Sequence, residues 1–291
     1  MRTVVQAVIL GLSAGAVYAL MASGLTLAFG VMRVVNVAQG ALVILGAYGS
    51  YALFSHLHAD PFLSILLVTP LLFLVGVAVQ MVFLRRLRSD ERELSLLVTF
   101  AVAIGIEGVL TLTFKTNYRS INPSYANRTL HLLGYQVPLV RVLAFVLSAG
   151  VLALLWLALE RTRFGRALRA TVQNPTSARL LGVEVERVAA VGFGLGASTG
   201  AAAGAVYGIV FPFNPGSHYD LISRLLSIVV LGGLGSLGGA VVAALLMGVA
   251  EAVVAATLSP VWSAFAFFAV LIGVLLVRPQ GLFGTVTRGE L

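Results

Sequence analysis

The sequence predicts an all-α protein that crosses a membrane about nine times, and three observations carry that expectation. Of 291 residues, 59% are hydrophobic and only 10% are charged, whereas ordinary soluble domains are about 25% charged. The apolar residues lie in long unalternating runs, which suit helices and exclude an outer-membrane barrel. Arginines collect in the short gaps between runs, the pattern that sets orientation in a bilayer. A net charge of +8 is therefore read as topology and not as nucleic-acid binding. The chain has no cysteine, which excludes disulfides and thiolate metal sites. The first apolar run is too long for a cleavable signal peptide. Lys115 is the sole lysine; no physical account of that bias is offered.

Taken in order, residues 3–30 make the first span, with Gly11 and Gly15 as a small-xxx-small pair for close helix contact. Arg33 and Asn36 interrupt, and residues 37–54 follow as the second. Asn36 is a good N-cap, placing a positive helix end near a polar pocket, as broken transporter helices do. The Arg33 region is either a simple turn or re-entrant, which changes the count by one. His56 and His58 are read as loop residues, since no further ligands lie nearby. Residues 61–84 span next, with Pro70 tolerated. Arg85, Arg86, Arg88 and Arg92 then mark a cytoplasmic loop, and residues 94–114 return, carrying Glu107 inside the membrane.

By alternation the polar loop 115–137 is periplasmic, and Leu130, Leu132, Gly134, Gln136 and Val137 predict a small hairpin within it. Residues 139–159 span inward. After the next loop, residues 188–211 carry Gly192, Gly196, Gly200, Gly204 and Gly208, a stripe read as helix packing and not as ligand chemistry. Residues 221–234 are short for a crossing. The run Gly232 to Gly239 is read as a tight turn; its formal match to a dinucleotide fingerprint lacks the acidic partner and the βαβ setting. Residues 240–257, with Glu251, and 261–277 complete the spans, leaving the N-terminus periplasmic. Gly15-Ala16-Val17-Tyr18 recurs as Gly204-Ala205-Val206-Tyr207, a weak echo of the kind inverted repeats leave.

The loop 160–187 is the longest polar interruption of the second half and holds Arg161, Arg163, Arg166, Arg169, Arg179 and Arg187. That crowding places it in the cytoplasm. Phe164, Ala167, Leu168 and Thr171 recur at helical spacing, so residues 164–173 are predicted helical. Asn174-Pro175 stops that helix, and a second one, 176–181, takes Thr176 as its cap and ends at Gly182. Two short helices around a proline break make a docking surface; an ordinary basic loop is the alternative.

Several clusters combine into a pattern: Arg161-Thr162-x-x-Gly165-Arg166-Ala167-x-Arg169-Ala170, Gln173-Asn174-Pro175, Ala178 and Gly182-Val183 in this loop. Gly15-x-x-Tyr18-Ala19-Leu20, Gly24-Leu25-x-Leu27-x-Phe29-Gly30-Val31 and Asn36-x-Ala38-x-Gly40 lie near the N-terminus. Gly232-Gly233-x-Gly235-Ser236-x-x-Gly239-Ala240 and Arg278-Pro279-Gln280-Gly281-Leu282-Phe283-Gly284 lie near the C-terminus. Together they resemble the permease subunits of ATP-binding-cassette importers of the branched-chain (hydrophobic) amino acid family. Gln39 departs from it, standing where the family more often has His. The resemblance implies a type II-like permease fold in one transmembrane domain, residues 1–291, in a bacterial inner membrane. It implies a second related permease, two ATPase subunits that carry the ATP and Mg, and a periplasmic binding protein, with no cofactor in this chain. Phe164, Gly165, Arg166, Arg169, Ala170, Asn174, Pro175, Arg179 and Gly182 become the candidates for coupling to the ATPases.

No Walker A pattern, nucleophile–base set or metal cluster is present in the sequence, so an enzyme is not expected. Tyr18, Asn36, Gln39, Thr99, Glu107 and Glu251 are the candidates for a substrate path, because polar groups in hydrocarbon face a bundle interior or a watery cavity. An acid on such a path would repel a substrate carboxylate. Branched-chain amino acids are the first expectation for the cargo; urea, amides and aromatic acids are alternatives within the family. An ion-coupled secondary transporter built on Glu107 and Glu251, or a membrane scaffold, are the readings outside it.

Overall fold

The computed structural model describes residues 2–32, 34–86, 92–132 and 134–283. Arg33 and Arg88, which mark two of the arginine gaps, and Gly284 lie outside them. Among the described residues, eight helices are long and apolar enough to cross a membrane. They are α1 (Arg2–Met32), α2 (Gln39–Leu57), α3 (Pro61–Val82), α4 (Arg92–Phe114), α5 (Leu139–Arg161), α8 (Val185–Val210), α10 (Leu237–Thr257) and α11 (Pro260–Val277). Two short helices, α6 (Arg163–Gln173) and α7 (Pro175–Leu180), fill the arginine-rich loop, and α9 (His218–Gly232) lies between α8 and α10.

The ninth expected crossing is α9, and it is not a full one. Its 15 residues reach about 22 Å at 1.5 Å per residue, short of a hydrocarbon core of about 30 Å. The chain is already buried before α9 starts. Phe213 is fully buried, and its backbone exchanges hydrogen bonds with Arg119, at 2.8 and 2.9 Å. Pairing with a second strand of chain satisfies the backbone of this non-helical stretch, the condition for irregular structure at membrane depth.

A matching break separates α1 from α2. Asn36, Ala38 and Gln39 are almost fully buried, so the stretch is an internal break and not a surface turn. The cap differs from expectation. Ala38 is the residue before α2 and makes no side-chain cap; Asn36 instead accepts from the Ala38 N–H at 3.1 Å. The polar side chain is spent closing the turn that precedes the helix.

The two breaks belong to a larger correspondence. α1 packs along α10 as α8 packs along α3, while α1 meets α8 and α2 meets α9. A Cβ on Gly248 would lie 2.6 Å from the Gly15 Cα, and one on Gly76 would lie 3.0 Å from the Gly194 Cα. These are equivalent crossings at which small residues let backbones touch. α1–α4 and α8–α11 are thus related as inverted repeats are. The tetrapeptide echo in the sequence is out of register with this relation: Gly15 corresponds to Gly194, not to Gly204. The chain is rich in Gly, Ala and Val, and the short match has no structural meaning.

Within the expected periplasmic loop, β1 (Thr129–Leu132) and β2 (Tyr135–Pro138) form the antiparallel hairpin, with Leu130 opposite Val137 and His131 opposite Gln136. Tyr125 donates to Asp60 at 2.8 Å, and Asp60 caps α3 by accepting from the Phe62 N–H. Burial, then the bond to Asp60, pushes the Tyr125 phenol up, so it remains a donor at ordinary pH. Pro70 sits inside a continuous α3. His58 ends α2 in a left-handed conformation, and among the described residues no group of His, Cys, Asp and Glu could hold a metal ion.

Candidate functional site

Three of the candidate path residues close the first break. Gln39 Nε2 donates to the carbonyls of Gly196 at 3.1 Å and Met21 at 3.4 Å, while its Oε1 accepts from Asn36 Nδ2 at 3.3 Å. Thr99 accepts from the Val37 N–H at 3.3 Å and donates back into its own helix. Asn36, Gln39 and Thr99 are at most 1% exposed. In this conformation they tie α1, α2, α4 and α8 together and face no open space.

The glycine stripe of α8 is what lets them do so. A Cβ on Gly204 would overlap the Val43 carbonyl, one on Gly200 would lie 2.8 Å from Gln39 Nε2, and one on Gly196 2.8 Å from the Gly24 oxygen. Gly208 meets the side chains of Phe213 and Ile121, and Gly192 is buried. The stripe seats the first break, its glutamine and the second break along one helix face.

The second break is charged. Glu107 accepts from Tyr219 at 2.9 Å and lies 3.1 Å from His218 Nε2, joining α4 to the start of α9. One turn further along, Arg224 forms an ion pair with Glu251 of α10. Its Nη1 donates to Tyr18 at 3.1 Å, and the Tyr18 hydroxyl donates to Glu251 Oε2 at 3.1 Å. The guanidinium also lies 5.5 Å from the Phe267 ring centre. Sequence reasoning named Tyr18, Glu107 and Glu251 and missed Arg224 and His218. The signal for Arg224 was present: it is a charge inside the run 221–234, the same feature that singled out the two glutamates. Both glutamates have partners within the chain.

On the arginine-rich face, α6 starts with Thr162 accepting from the Gly165 N–H and buries Gly165, Leu168 and Thr171. Phe164, Ala167 and Leu168 pack with Leu159, Val188 and Ala189 at the ends of α5 and α8. A Cβ on Gly165 would overlap the Leu159 carbonyl, so the first turn of α6 is pressed against α5. Asn174, not Thr176, caps α7: its side chain accepts from the Ser177 N–H with Pro175 at the first helical position, where a missing N–H costs nothing. Gly182, at φ +82°, ends α7 as expected. Arg169, itself exposed, reaches back along α5 to Glu160, at 3.0 Å, and to the Leu159 carbonyl, at 2.8 Å. Arg166, Asn174, Pro175 and Arg179 are exposed and Ala170 is half-exposed; Leu180 and Leu181 are 85% and 82% exposed. The loop packs against the ends of two spans, with basic and apolar groups on its outer side.

Eight apolar helices with two buried breaks between them, charged pairs among those helices and a built surface at one end define a multi-pass membrane protein of the transport type. Residues 7–275 match the family model described as branched-chain amino acid transport system / permease component, and the chain belongs to that family. The high-affinity branched-chain amino acid transport system permease protein BraD of Pseudomonas aeruginosa is 28% identical, over 96% of this chain and 95% of that one. The corresponding permease protein LivH of Escherichia coli is also 28% identical, over 94% of this chain and 93% of that one. PsaBC from Streptococcus pneumoniae, solved in complex with a Fab, aligns at a TM-score of 0.48 and 14% identity over 96% of this chain and 91% of its own; that likeness is too distant to place residues.

Proposed function

We propose that this chain is one of two permeases in an ATP-driven importer of branched-chain amino acids in the plasma membrane. A separate binding protein delivers the substrate, and two ATPase subunits bearing ATP and Mg supply the work. The observation that carries this reading is the anchored loop of α6 and α7. A docking surface that transmits force must be stiff and must be joined to moving spans. Leu168 and Phe164 against Val188, Gly165 against Leu159 and Arg169 against Glu160 meet both conditions.

Arg166, Arg179, Leu180 and Leu181 form the outward surface for the ATPase, while Arg169 holds the lever to α5. The family assignment and the names of the relatives support the cargo. The test is uptake of leucine by vesicles holding the whole assembly. Uptake should follow internal ATP and ignore a proton or sodium gradient. Substituting Arg166 with Glu, together with Leu180 and Leu181 with Ser, should release the ATPase subunits from the purified complex while the permeases stay paired. Uptake driven by an ion gradient without ATP would sink the reading.

A further inference from the structure

Arg224 changes what the membrane interior of this chain can bind. A lone Glu251 would repel a carboxylate; an Arg–Glu pair presents one charge of each sign. Tyr219, Asp220 and Ser223 are exposed on α9, and Asp220 lies on the same face as Arg224, four residues before it. Polar and charged groups at membrane depth face a watery cavity or a partner chain, not lipid. The Arg224 and Glu251 side chains remain 23% and 19% exposed on that side. Among the described residues, the hydrogen bonds of the guanidinium all run through Nη1. Nε and Nη2 are thus left as a parallel donor pair of the kind that grips a carboxylate.

We propose that Arg224 and Glu251 are a station for a zwitterion on the translocation path. The substrate carboxylate takes Arg224 and its ammonium takes Glu251, while the fully buried Phe267 backs the guanidinium from the core side. Tyr18 is a positioning residue, bonded to both members of the pair. The exchange is partner for partner, so the site gains no net charge, whereas an unpaired buried charge is costly. Because the resting ion pair must open, binding is weak, and a path requires release as much as capture. This inference rests on the amino acid reading above.

The test uses the complete importer in proteoliposomes with leucine as the probe, and reads leucine moved per ATP hydrolysed. Wild type comes first: if it moves no leucine, the substrate reading fails and the station with it. With wild type active, R224Q and E251Q should each lower leucine per ATP at least tenfold. The double variant R224Q/E251Q decides the matter, since it leaves no unpaired charge to disturb folding. A station predicts that the double stays at least tenfold down with binding-protein-stimulated ATP hydrolysis intact. A merely structural pair predicts recovery to within twofold of wild type, and that result would overturn the proposal. Y18F should lower leucine per ATP by less than either charge removal.

Discussion

The two halves of the molecule use one architecture for opposite ends. In α1–α4 the break before α2 is neutral: Asn36, Gln39 and Thr99 satisfy one another and nearby carbonyls with almost no exposure. In α8–α11 the break before α9 leads into His218 and Tyr219, which reach across to Glu107, and Arg224, which pairs with Glu251. Amides at depth can be saturated by backbone and sealed. Charges at depth need partners that water or another chain can also reach. The first break is thus sealed by neutral groups, and the second is held by charged ones.

Breaking the equivalent helix crossings should have the largest effect. Gly248→Leu and Gly76→Leu force a side chain onto backbone in each half, an overpacking cost of about 1–3 kcal/mol or more. Both should lower the thermal midpoint of the purified protein, whereas Gly105→Leu, with nothing within 4 Å of its Cβ, should not. A shift at only one of the two sites would contradict the repeat.

Gln39→Leu should cost about 1–3 kcal/mol, because the Gly196 and Met21 carbonyls lose a buried donor. His218→Leu, its counterpart at the start of α9, should cost less, about 1 kcal/mol, since Glu107 keeps Tyr219. Equal or reversed losses in a denaturation series would undo the contrast between neutral and charged breaks. Asn214→Ala removes the capping box that Asn214 and Ser217 make ahead of α9. It should cost about 1 kcal/mol, seen as faster hydrogen exchange at the start of α9 and not of α2. Smallest of all for stability is Arg166→Glu, an exposed change expected within about 0.5 kcal/mol. Its effect should appear only as loss of ATPase retention on copurification.

The spans with long uniform runs, the hairpin and the two loop helices were legible because each is specified by nearby residues. Phe164, Ala167, Leu168 and Thr171 announce α6, and Gly182 announces the end of α7. Caps were less legible: Thr176 and Asn174 are both good cap residues, and only Pro175 at the first helical position selects Asn174. The partners of Glu107 and Glu251 could not be read at all, because they lie more than a hundred and more than twenty positions away. The tetrapeptide echo misled for the opposite reason: local identity without a shared contact.

By itself the sequence determined that this chain lives in a bilayer, which loops carry the arginines and which family it joins, because hydropathy and motif are local properties. Tertiary structure alone decided that α9 is preceded by a buried stretch paired with Arg119, that Gln39 is sealed and that Arg224 meets Glu251. Those outcomes depend on which backbones glycine allows to touch, a matter of distance in space that no spacing along the chain encodes.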